Sequence, residues 1–202
     1  MNIGRIIKGV GGNYYVSAKG KIYKCSARGK FRKAKITPTV GDYVQFTILD
    51  ENECEGALDT IEKRKNILLR PRVANIDCAI ITFAATSPDI NRDLLDRFLI
   101  LAETQNIPKV IICINKSDLV SQEEKDAFAN IYEPYYKVVF TSAEKNIGID
   151  QLKEEIHGCE SVFAGPSGVG KSSLINRLIP ESNRQTGEIS RKIERGKHTT
   201  RQ

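Results

Sequence analysis

The stretch Gly165-Pro166-Ser167-Gly168-Val169-Gly170-Lys171-Ser172 constrains this chain more than any other feature. A glycine, four residues and then Gly-Lys-Ser is the pattern of a loop whose backbone N–H groups curl around phosphate oxygens. Glycine permits the curl, and a helix opening at Lys171 adds its positive N-terminal end. The Lys171 ammonium is expected at the β- and γ-phosphates. The Ser172 hydroxyl is expected on Mg²⁺, with Ser173 beside it in the first helical turn. Such a loop needs a strand before it and a helix after it. Residues 161–164 and 171–178 read as those two elements.

Two further stretches point to the base. Asn115-Lys116-Ser117-Asp118 follows an apolar strand pattern at 109–114, and ligands of open parallel sheets bind at the C-terminal ends of strands. The Asp118 carboxylate can accept both the ring N–H and the exocyclic amine of guanine, a pair that adenine lacks. A site built on such bonds rejects an analogue without them by roughly 10⁴. The competing reading is a strand-end turn in which Ser117 or Asp118 caps a helix. Thr141-Ser142-Ala143 follows the next strand pattern, 138–140, and its N–H groups suit the guanine oxygen. Taken alone, that tripeptide is a turn.

From residue 76 onward strand and helix patterns alternate: strands at 76–83, 109–114, 138–140 and 161–164, helices at 92–105, 123–132, 149–156 and 171–178. This predicts an α/β unit with a mainly parallel sheet and helices on both faces. The first seventy residues differ. Short segments rich in β-branched and aromatic residues, at 3–8, 13–18, 21–26, 43–49 and 56–62, are separated by glycine or charged turns. Five short strands predict a small barrel of the OB or SH3-like kind. Arg70-Pro71-Arg72 is expected to mark the boundary, giving a barrel at 1–70 and a nucleotide-binding domain at 71–202.

Charge follows the same division. Residues 1–70 carry 14 Lys/Arg against 7 Asp/Glu, and residues 71–160 carry 9 against 15. A basic block ahead of an acidic one suggests two units with different partners, random scatter being the alternative. The longest apolar run, 78–85, is too short to span a membrane, and the N-terminus lacks the apolar stretch of a secretory signal. Five cysteines without a Cys-x-x-Cys pair or a Cys/His cluster suit a reducing compartment and offer no zinc site. A cytoplasmic monomer with no membrane partner is the expectation.

The base motifs stand ahead of the phosphate loop, the reverse of the usual order in translation-factor-like GTPases. With a basic N-terminal barrel, this resembles the circularly permuted ribosome-biogenesis GTPases, the small-ribosomal-subunit-dependent GTPase A family. The resemblance runs the whole chain and includes Gly29-Lys30-Phe31-Arg32-Lys33, Val40-Gly41-Asp42, Leu94-Leu95-Asp96-Arg97-Phe98 and Gly196-Lys197-His198-Thr199-Thr200. It implies an OB domain, a permuted GTPase domain and a C-terminal zinc domain. It also implies GTP hydrolysis stimulated by the small ribosomal subunit during late maturation. Residues 196–200 correspond to the first switch, with Thr200 (or Thr199) on Mg²⁺. His198 lies where a histidine is proposed to assist hydrolysis in this family; the alternative is an exposed loop residue. The Asp-x-x-Gly motif of the second switch and the zinc domain with its Zn²⁺ ligands are missing from this sequence. The expectation is a truncated form that binds GTP and GDP with impaired hydrolysis.

Lys30, Arg32, Lys33 and Lys35 cluster around Phe31 between the third and fourth strand patterns. Such a loop suits RNA phosphates with Phe31 stacked on a base. The alternative is a solvated charge run with Phe31 in the barrel core. Three functions follow: a GTPase acting on the small subunit through rRNA, a nucleotide-gated RNA-binding assembly factor with negligible turnover, and a small-molecule kinase using ATP. The 115–118 stretch speaks against the last.

Overall fold

A computed structural model describes residues 2–33 and 36–179. Five strands, β1 (Asn2–Val10), β2 (Asn13–Ala18), β3 (Lys21–Ala27), β4 (Tyr43–Asp50) and β5 (Glu55–Ile61), close a barrel in the order β1-β2-β3-β5-β4. β3 and β5 run parallel; the other neighbouring pairs around the barrel are antiparallel. Side chains alternate across each strand, so Tyr23 and Cys25 of β3 and Val44 and Phe46 of β4 point inward. They meet Ile6, Val16 and Leu58 in one apolar core. Burying each large side chain of this set contributes roughly 1.5–3 kcal/mol.

The basic stretch expected as a loop begins with a short helix, α1 (Gly29–Lys33). Phe31 is only 6% exposed and belongs to the barrel core. Its expected stacking on a base is therefore corrected: the one apolar residue of a cationic run is drawn inward by the hydrophobic effect. Lys30 is exposed, its ammonium 5.9 Å from the Phe31 ring centre. Arg70-Pro71, expected as a boundary, forms the turn of a hairpin between β6 (Ile67–Leu69) and β7 (Arg72–Ala74).

A fully buried ion pair partner anchors the loop ahead of β4. The Asp42 carboxylate accepts from Thr39 N–H at 2.7 Å and from Arg64 Nε and Nη2 at 2.7 and 2.8 Å. Arg64 also donates to the Thr37 carbonyl at 2.9 Å.

The remaining elements are β8 (Cys78–Ala84), α2 (Arg92–Thr104), β9 (Lys109–Asn115), α3 (Gln122–Tyr132), β10 (Lys137–Phe140), α4 (Ile149–Glu155), β11 (Ser161–Ala164) and α5 (Lys171–Leu178). The strands form one sheet in the order β10-β9-β8-β11, with β10 parallel to β9 in the register Val138 with Ile112. Every residue of β8 is buried, as an inner strand covered on both faces requires. α3 starts at a complete capping box: Ser121 Oγ accepts from Glu124 N–H, and the Glu124 carboxylate accepts from Ser121 N–H. Two compact units divide the chain. The barrel and the hairpin lie in the first; residues 115–118, 141–143 and 165–172 lie together in the second. Among the described residues no helix is long and apolar enough to cross a membrane.

Candidate functional site

β11 ends at Ala164, and the chain turns at Gly165 with φ +142°. A Cβ there would lie 2.0 Å from the Thr82 carbonyl oxygen of β8, so only glycine lets the loop start this close to the sheet. The loop closes at Gly170, φ +91°, the N-cap of α5. A Cβ at Gly170 would lie 2.2 Å from the Asn115 amide nitrogen. The Lys171 ammonium donates to the carbonyls of Gly165 and Pro166 at 3.1 and 2.5 Å, spanning the loop it follows. Ser172 and Ser173 are exposed in the first turn of α5.

Asn115 ends β9, buried, and ties the three motifs together. Its Nδ2 donates to the Val169 carbonyl at 2.9 Å. Its Oδ1 accepts from Ala143 N–H at 3.1 Å and from the Thr141 hydroxyl at 3.4 Å. The alternative reading in which Ser117 or Asp118 caps a helix does not hold. Ser117–Leu119 is itself a short 3-10 helix, its N-cap Lys116 makes no side-chain cap bond, and α3 is capped by Ser121. Lys116 takes the left-handed conformation, φ +58°, and its ammonium donates to the Ser87 carbonyl. The Ser117 N–H donates to Thr141 O at 3.0 Å; among the described residues its buried hydroxyl has no partner.

Asp118 is half-buried. The Ser142 hydroxyl accepts from Lys145 N–H at 3.0 Å, which leaves its own proton for the Asp118 carboxylate. That bond, ahead of the nearby Lys145 and Lys125 charges, holds Asp118 below the ordinary carboxylate range. Asp118 is thus a standing anion beside a loop whose own hydrogen bonds are already made. The loop is closed by a reciprocal bridge, Ser142 N–H to Ile147 O at 2.9 Å and Ile147 N–H to Ser142 O at 3.1 Å. Below it Cys113 is fully buried 3.4 Å from the Thr141 hydroxyl, and burial pushes its thiol up to about 12.

The structure therefore brings Asn115, Lys116, Ser117, Asp118, Thr141, Ser142 and Ala143 to one corner with the loop Gly165, Pro166, Ser167, Gly168, Val169, Gly170, Lys171 and Ser172. Lys30 belongs to the first unit. Lys35, His198, Thr199 and Thr200 lie outside the described residues. Sequence reasoning missed Thr82, Ser87 and Arg177, whose Nε donates to Ala143 O at 2.8 Å. The first two act through backbone carbonyls, which no residue type announces.

Comparison with known proteins gives the family. The RsgA GTPase family matches residues 61–202, and the RsgA N-terminal domain matches residues 3–57. The chain belongs to the RsgA GTPase family. It is 52% identical over 202 residues to the small ribosomal subunit biogenesis GTPase RsgA of Alkaliphilus metalliredigens, covering all of this chain and 69% of that protein. The protein of the same name from Agathobacter rectalis is 49% identical over 210 residues, covering 98% and 69%. Among solved structures, YloQ, a circularly permuted GTPase, shares 43% identity with a TM-score of 0.70 over 90% of this chain. YjeQ from Thermotoga maritima shares 34% with a TM-score of 0.76 over 89%. The chain covers 65% of each of those two chains, so it spans about two thirds of the length of its relatives.

Proposed function

We propose that this chain binds guanine nucleotide at the corner formed by residues 115–118, 141–143 and 165–172, and hydrolyses GTP to GDP and phosphate during late maturation of the small ribosomal subunit. One observation carries the reading: the Asn115 amide holds the phosphate loop at Val169 and the base-reading loop at Ala143 at the same time. A single side chain thereby sets the distance between the phosphate end and the base end of a nucleotide. Asp118 selects guanine, with Lys116 and the backbone of Thr141, Ser142 and Ala143 around the ring. The curled loop and Lys171 take the phosphates, with Ser172 and Ser173 at the helix start.

The donor set suits Mg²⁺. The exposed Ser172 hydroxyl would supply one oxygen ligand, with phosphate oxygens, water and a second protein side chain completing the shell. When bound, the ion neutralises charge developing on the transferred phosphoryl group. Thr200 as a second ligand and His198 as an assistant in hydrolysis are carried by the family resemblance. Among the described residues no group of three or more His, Cys, Asp or Glu could hold a metal, so no step is assigned to zinc.

The ribosomal part of the reading is supported by the name that the relatives bear, small ribosomal subunit biogenesis GTPase RsgA. The domain division is a barrel at 1–70 and a GTPase domain at 71–202, supported by the separate family matches to residues 3–57 and 61–202. The barrel faces rRNA through the cationic run Lys30, Arg32, Lys33 and Lys35, without base stacking by Phe31, and the protein works in the cytoplasm.

Titration with fluorescent GTP and GDP plus Mg²⁺, with ATP as competitor, tests the site. Guanine nucleotides bind, ATP fails to compete, and Asp118→Asn removes most of a preference of roughly 10⁴. Equal competition by ATP sinks the guanine site. Turnover unchanged by added small subunits reduces the protein to a nucleotide-gated binding factor.

A further inference from the structure

The base-reading loop has a second anchor that none of the motifs supplies. Arg177 lies near the C-terminal end of α5, six residues beyond Lys171 and roughly 9 Å along the helix axis. Its Nε–H donates to the Ala143 carbonyl at 2.8 Å, and its Nη2 reaches the Glu144 carbonyl at 3.5 Å. A guanidinium is a rigid fork of donors, and two successive carbonyls are a fitting target for it. Ala143 is thus held from both sides, its carbonyl by Arg177 and its N–H by Asn115. The contacts form a closed ring. It runs from Val169 to the Asn115 amide, to the Ala143 peptide, to Arg177, and back along α5 to Gly170 and the phosphate loop. Ser142, whose hydroxyl is bonded to Asp118, is the neighbour of Ala143 inside this ring.

We propose that Arg177 is a positioning residue for base recognition. It fixes the Ala143 and Glu144 carbonyls, and through them the loop that sets Asp118 against the guanine ring. The same contact couples the base-reading loop to the helix that carries Lys171 and Ser172. This rests on the guanine-nucleotide reading of the corner. The backbone bridge between Ser142 and Ile147 closes the loop without any contribution from Arg177.

The test uses the full chain with Arg177→Met and Arg177→Lys. Methionine keeps an apolar stem and helix propensity while removing every donor; lysine keeps a charge and a donor. Affinities for fluorescent GDP, and for IDP and ADP as competitors, are measured with the melting temperature of each variant. Arg177→Met is expected to weaken GDP about tenfold, the effect of losing charge-assisted bonds. It is also expected to narrow the preference for GDP over IDP, which lacks the exocyclic amine read by Asp118. Arg177→Lys restores part of both. An unchanged GDP-to-IDP ratio in Arg177→Met overturns the proposal, whatever happens to its melting temperature, because a merely structural role weakens both nucleotides alike. If the wild-type chain itself shows no preference for GDP over ADP, the failure lies in the guanine reading and takes this inference with it.

Discussion

Two buried polar side chains organise two parts of this molecule by different means. Asp42, ahead of β4, is a charge held by the Arg64 guanidinium and by Thr39 N–H. Asn115, at the end of β9, is a neutral amide shared between Val169 and Ala143. The Asp42 cluster joins segments 22 residues apart; the Asn115 bond to Val169 spans 54. The difference lies in what is left when one partner goes. Removing a member of a buried ion pair strands a charge in a poorly solvating place, so the damage is to stability. Removing an amide strands neutral groups, a smaller penalty, and uncouples two loops, so the damage is to binding.

Three experiments sharpen or break that contrast. Asp42→Ala is expected to have the largest effect, lowering stability by about 3–5 kcal/mol in urea unfolding, since Arg64 and Thr39 N–H both lose their acceptor. A midpoint within error of wild type would show that water replaces the carboxylate at no cost. Asn115→Ala is expected to lose about 1–3 kcal/mol in the same unfolding and to release fluorescent GDP roughly tenfold faster or more. An unfolding loss as large as that of Asp42→Ala would erase the distinction between the two anchors. The smallest effect concerns pH. An amide does not titrate, so acid sensitivity at this corner falls on Asp118. Its carboxyl is held below the ordinary value of 3.8. What its charge contributes is therefore complete above that value and is lost only as pH falls through the lower value in the folded protein. The preference for GDP over IDP, in which the titration of the shared diphosphate cancels, should be flat between about pH 5 and 8; a decline of that preference by pH 6 would contradict the Ser142 bond.

Much of the architecture is legible in the residues. Period-two burial in 21–26 and 43–49 and the unbroken apolar run at β8 each rest on a local rule, and the elements stand within a few residues of where those rules put them. The misreadings arise where a local rule meets a distant partner. A lone phenylalanine among cations is ambiguous until the barrel closes over it. Arg70-Pro71 is a break in one hydrogen-bond pattern and equally the turn of a hairpin. At the corner, residue types reveal which side chains suit a phosphate or a guanine. They do not reveal that Asn115 spends its amide on Val169 and Ala143. Arg177 on the last turn of a helix reads simply as a cation favoured by the helix end.

The sheet order β10-β9-β8-β11 has a consequence for synthesis. A ribosome makes the base-reading half of this corner before the phosphate loop. At about 5–20 residues per second, Val169 follows Asn115 by roughly 3–11 seconds. Through that interval the amide that will join the two loops has no carbonyl to hold, and β8 waits for β11 on its open edge. A nascent chain of this order acquires its means of selecting a base before it has any means of gripping a phosphate. Capture of both ends of a nucleotide therefore waits for β11 and the helix start at Lys171.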